Sequence, residues 1–124
     1  MDLQFNFEVQ PGLLLVTVSG KIDVESAVQL LKRACDTAVE NKVNKILINN
    51  LAVEAELDTF QRYRLAAEIA PYFKKHLANL KLAIVGQPPA TDGFAVRVGQ
   101  NRGVVAEVFP SRQAALNWLR RWPD

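Results

Sequence analysis

The chain has 124 residues, 49% apolar and 23% charged, which fits one compact domain over 1–124 with enough core to need neither a disulfide nor a structural metal. Fifteen Lys and Arg against thirteen Asp and Glu leave a net charge of +2, too small a surplus for a dedicated nucleic-acid binder, whose basic residues would dominate one face. Apolar runs such as 13–16 fall far short of the roughly 20 residues that span a bilayer, and Met1-Asp2-Leu3-Gln4 carries no secretion-signal pattern, so the cytoplasm is the expected compartment.

Residues 3–9 alternate Leu3, Phe5, Phe7 and Val9 against Gln4, Asn6 and Glu8, the period-two pattern of a strand with one buried face. Pro11-Gly12 makes a turn, and the Leu- and Val-rich stretch 13–19 returns as an antiparallel partner. Asp23 is placed to accept from the first amides of a helix along which Val24, Ala27, Val28, Leu31, Ala34, Cys35 and Ala38 recur at helical spacing. The runs 45–50, 81–86 and 104–109 lack alternation, as strands buried on both faces do. Between the first two, a helix opens at Asp58 or Thr59, with Phe60, Tyr63, Ala67 and Ala70 on its apolar side and Arg62, Arg64 and Glu68 elsewhere. Pro71 cannot donate a backbone hydrogen bond, so that helix kinks or stops there, and a kink is the favoured reading. The stretch 87–92 is a loop in which Thr91 caps a third helix over 93–100, and Ser111 caps a last helix whose Ala115, Trp118, Leu119 and Trp122 share one face. This order predicts an α/β sandwich: a mixed five-stranded sheet, its first strand antiparallel and the rest mostly parallel, covered by about four helices. In such sheets functional groups collect at the carboxyl ends of the parallel strands.

One cysteine and one histidine cannot assemble a zinc site, and no glycine-rich phosphate loop or nucleophile elbow occurs, so no metal, cofactor or catalytic triad is expected. Cys35 lies on an apolar stripe and reads as a core residue. His76 follows Lys74 and Lys75 near a helix end, where a cation suits the helix dipole. Arg97, Arg102, Arg112, Arg120 and Arg121 are spread over several elements and read as solvated surface. The amides that open the third helix offer a weak anion site at most.

The informative stretch is 46–59. A buried strand ends in Asn50-Leu51, and after a loop Leu57-Asp58-Thr59 opens the next helix. Here the chain resembles the STAS fold, the family of anti-sigma-factor antagonists, in which a strand ends in Asp-Leu and an apolar residue, Asp and a serine or threonine open the second helix. The ending 107–119, with Ala115, Trp118 and Leu119 spaced A-x-x-W-L, is similar to a STAS-like branch in which a last strand leads into such a helix. Three departures stand out: Asn50 replaces the strand-end aspartate, Thr59 replaces the phosphorylatable serine, and Phe60-Gln61 replaces a small residue and glycine.

The resemblance implies a non-enzymatic regulatory module that binds a partner protein through the segment 50–58 and the exposed face of the second helix. Asn50, Asp58, Thr59, Arg62 and Tyr63 are its candidate residues, with Thr59 as a phospho-switch. Read from local chemistry alone, Asp58 or Thr59 caps the helix and Gln61 completes a capping box. The alternative function is a carrier or sensor of a small apolar ligand in a helix–sheet cleft, with Phe60, Phe73, Phe94 and Trp118 as its lining. A hydrolytic site would have to pair Asp58 or Glu56 with His76. The strand at 3–9 is an uncapped edge that invites pairing into a homodimer.

Overall fold

A computed structural model describes residues 3–55, 57–88 and 90–123. The elements run β1 (Gln4–Gln10), β2 (Leu13–Ile22), α1 (Val24–Glu40), β3 (Lys45–Ala55), α2 (Thr59–His76), β4 (Lys81–Val85), α3 (Phe94–Asn101), β5 (Val105–Phe109) and α4 (Arg112–Leu119). They form one five-stranded sheet in the order β1-β2-β3-β4-β5, with β1 antiparallel to β2 and every other pair parallel, as the sequence predicts. Gly12, at φ +72°, closes the β1–β2 turn in a conformation that suits glycine.

Two helices begin at reciprocal caps. Asp23 Oδ1 accepts from Ser26 N at 2.8 Å, while Asp23 N donates to Ser26 Oγ at 3.1 Å, so the orphan amides of α1 are satisfied before the helix begins. Asp58 and Gln61 repeat the arrangement at α2. On one face of the sheet, Leu30, Ala34 and Cys35 of α1, Ile69 and Phe73 of α2 and Val96 of α3 pack against Leu14, Val16, Ile46 and Ile48. On the other, Ala115 and Leu119 of α4 cover Leu15, Leu47, Ala83 and Val85. Cys35 is fully buried, as its place on the α1 stripe implies.

Several elements differ from expectation. The segment after Asn50 is not a loop: β2 and β3 continue together, pairing Ser19 with Ala52 and Ile22 with Ala55. The register shifts between Thr17 and Ser19, which oppose Asn49 and Ala52, so β3 carries one residue more than β2 there, a β-bulge. It reverses the inward parity of β3, so that Ile46 and Ile48 are buried before it and Val53 after it. Of the two readings of Pro71, a stop is overturned: α2 runs on through it; the proline is on the exposed side, and buried Ile69, Ala70 and Phe73 hold the helix on either side of it. The buried stripe of α2 is Arg62, Ala66, Ile69, Ala70 and Phe73, which turns Phe60 and Tyr63 toward solvent.

Candidate functional site

The carboxyl ends of β2, β3 and β4 and the starts of α2 and α3 converge on one region. Asp58, in extended backbone at φ −77° and ψ 174°, accepts from Gln61 N at 2.7 Å and donates its own amide to Gln61 Oε1 at 2.9 Å. Thr59 follows as the first helical residue and is exposed. Phe60 is 68% exposed and Tyr63, one turn on, is 43% exposed. Arg102 Nη2 donates to Tyr63 Oη at 2.9 Å with its guanidinium 5.6 Å from the ring centre, so α3 steadies that side chain.

Arg62 occupies the inner side of the same turn. Its Nε donates to the Leu57 carbonyl at 3.0 Å, and Nη1 donates to the Ala90 carbonyl at 3.2 Å. Nη1 also lies 3.5 Å from Asp92 Oδ1, with the arginine side chain 11% exposed and the aspartate 44%. One buried guanidinium therefore ties the β3–α2 connection to the β4–α3 loop, a fork geometry that a lysine would not reproduce. Asp92 Oδ1 also accepts from Phe94 N at 2.9 Å, so the first amide of α3 is taken by Asp92, the residue before the N-cap Gly93, rather than by Thr91. That carboxylate stands where an anion would bind, which argues against an anion site there. Thr91 instead packs against Gly86, where an added Cβ would stand 2.5 Å from its Oγ1.

Beneath these groups is a cavity of about 100 Å³ walled by Ile22, Leu30, Ile48, Val53 and Val96, with Asn50, Arg62, Thr91 and Asp92 as its polar side chains. A second, almost wholly apolar cavity of about 80 Å³ adjoins it, with Phe73 in its wall and Leu31, Leu65, Ile84, Ala95 and Val96 common to both. Asn50 Oδ1 is buried and has no hydrogen-bond partner among the described residues.

The expected site residues divide accordingly. Asp58, Thr59 and Tyr63 are exposed around the entrance of α2. Arg62 is buried and acts from within, because its guanidinium is held by the Leu57 and Ala90 carbonyls. Asn50 is not at a strand end; it lies within β3, in phase with inward Ile46 and Ile48, and borders the cavity. Of the four aromatic residues expected to line one cleft, Phe73 borders the second of these two cavities and the other three border neither. Phe60 is exposed, and Phe94 lies half-buried with the Arg97 guanidinium 5.9 Å from its ring centre. Trp118 is across the sheet, its ring centre 5.5 Å from that of Phe109 and 4.7 Å from that of Trp122. Asp58 and His76 stand at opposite ends of an 18-residue helix, about 27 Å apart at ~1.5 Å per residue, so they cannot share a hydrolytic site. Glu56, the alternative carboxylate, lies outside the described residues. Nothing in the sequence marks Ala90 as a partner of Arg62, because the acceptor is a backbone carbonyl; an arginine in phase with Ala66, Ile69 and Phe73 was the available signal.

This layout, a mixed sheet with three helices on one face and one on the other and a capped α2 entrance beyond the third strand, is a STAS-like fold. The chain matches an anti-sigma factor antagonist from Mycobacterium paratuberculosis with a TM-score of 0.66 at 22% identity, over 96% of this chain and 95% of that one. It matches the anti-sigma factor antagonist SpoIIAA in its unphosphorylated form with a TM-score of 0.57 at 16% identity, over 94% and 98% of the two chains. An uncharacterized DUF3478-family protein with a SpoIIAA-like fold from Shewanella loihica PV-4 gives 0.58 at 16% identity, over 94% and 93%. No protein-family model and no curated protein matches the sequence.

Proposed function

We propose that the chain is a non-enzymatic, cytoplasmic regulatory module that binds a partner protein through the first two turns of α2, with Thr59 as a phosphorylation switch. The observation that carries this reading is the exposure of Phe60 and Tyr63 one turn apart on the same helix face. A helix that spends two large aromatic side chains on solvent has apolar anchors available for a partner. The fold's likeness to anti-sigma factor antagonists supports the same reading, as does SpoIIAA, which is known in both unphosphorylated and phosphorylated forms.

Thr59 Oγ1 sits at the first position of α2 beside the capping box. A phosphate there adds roughly −1.5 to −2 charge. It would be drawn to the helix amides, but Asp58 already holds the Gln61 amide, so phosphate and carboxylate compete at one helix start and repel each other. The switch in this reading is a change of charge and capping beside Phe60.

The test is affinity capture from the native host with four baits: the natural chain, Phe60→Asp, Thr59→Glu and a control, Gln113→Ala, on α4. The expected result is a partner held by the natural chain and the control and lost at least tenfold with Phe60→Asp. The same proteins recovered with Phe60→Asp, or no specific partner with any bait, would overturn the reading.

A further inference from the structure

We propose that the cavity beneath Asn50 binds a small neutral alcohol, a molecule with an apolar body and one hydroxyl group whose O–H donates to Asn50 Oδ1. Apart from Asn50 itself, the wall that the sheet and α1 form is apolar, at Ile22, Leu30, Ile48 and Val53, so the body of a ligand gains from leaving water. Asn50 Oδ1 is buried without a partner among the described residues. A buried acceptor with no donor is costly, and a ligand that supplies the donor recovers that cost, whereas a hydrocarbon of the same shape does not.

Charge narrows the class further. The ionic groups at the rim, Arg62 and Asp92, face each other at 3.5 Å, and a charged ligand would have to disturb that pair. A neutral hydroxyl leaves it intact. Size sets the scale: cavities of about 100 and 80 Å³ share five wall residues, and a ~150 Å³ apolar cavity accommodates benzene, so the two together suit about six to eight non-hydrogen atoms. The site is separate from the exposed face of α2 and does not depend on partner binding.

The test uses phenol and benzene as probes, titrated into the full chain and followed by amide chemical shifts, in the natural protein and in Asn50→Leu. Phenol is expected to shift the amides of Val53, Leu57 and Val96 and to bind at least about tenfold more tightly than benzene, the scale of one hydrogen bond to an otherwise unpaired acceptor. In Asn50→Leu the preference should vanish or reverse while benzene still binds. If that variant does not fold, Asn50→Ala serves in its place, with the same loss of preference expected. Equal binding of the two probes to the natural chain, a phenol preference that survives both substitutions, or binding of neither probe would overturn the proposal. Binding of neither would mean that the cavity holds only water or is closed.

Discussion

Replacing Arg62 by methionine tests whether one buried guanidinium holds the region together. Methionine keeps most of the apolar stem and its packing, so the loss is confined to the head group. Two carbonyls, at Leu57 and Ala90, lose donors 3.0 and 3.2 Å away. With water able to reach them in part from the open side, each loss is worth about 1–1.5 kcal/mol. Asp92 is 44% exposed and rehydrates when its partner leaves, so that ion pair adds well under ~1 kcal/mol. The net expectation is about 2.5 kcal/mol. Unfolding entropy of ~2.1 cal/mol/K per residue, taken over 124 residues, gives about 0.26 kcal/mol/K and hence a fall in Tm of about 10 °C. Calorimetry reads the shift, and amide hydrogen exchange reads its location: protection should fall at 57–62 and 90–97 while β1 and β2 keep theirs. A variant that melts within ~2 °C of the natural chain with unchanged exchange at both loops would refute the clamp.

Gly86→Ala should cost about 1–3 kcal/mol in urea unfolding because its methyl meets Thr91 Oγ1 at 2.5 Å and Thr91 Cβ at 2.7 Å; Thr91→Gly in the same chain should recover part of it, a non-additivity that a double-mutant cycle measures. Asp58→Ala removes the acceptor for Gln61 N and should cost about 1 kcal/mol, with Asp58→Asn nearly neutral. Burial, with Asp36 adding, pushes the Cys35 thiol from its ordinary 9.0 up to about 11. The folded state therefore favours the protonated thiol, a contribution fully present below pH 9 and lost as pH rises through about 11. Denaturant midpoints over that range should fall less in Cys35→Ala, and at pH 8 a thiol reagent should modify the natural protein only as fast as it unfolds.

Much of this was legible in residue types and spacing. Asp23, Asp58 and Ser111 announce their helices because a short side-chain oxygen ahead of free amides has one good use. The first strand is readable because its aromatic residues alternate with polar ones. Helix α2 misleads because two of its large aromatic side chains, Phe60 and Tyr63, are on the outside, while a charged residue is in the core with its guanidinium held by the nearby Leu57 carbonyl and by the Ala90 carbonyl of a distant loop. Only the tertiary structure brings that second carbonyl near. The end of β3 misleads for a different reason: Ser19-Gly20-Lys21 and Asn49-Asn50 look like loop chemistry, and the inward pattern changes phase between Ile48 and Val53. Trp118 carries no mark of which side of the sheet it covers, since a helix connected to an edge strand reaches either side.

The extra residue in β3 also sets a rule for how this segment tolerates changes in length. Deleting Leu51 would close the bulge and leave Asn50 opposite Val18, with Ser19 still facing Ala52 and Gly20 still facing Val53, so the side chains downstream keep their faces. An inserted residue has no such slack: it must widen the bulge or move the strand on by one place, sending Val53 out and bringing Glu54 inward. Relatives that differ in length here should therefore lose one residue at the bulge, or place an insertion beyond residue 55, where the strand has ended. A single inserted residue that the bulge does not absorb would instead set an acidic side chain against the hydrocarbon floor of the cavity.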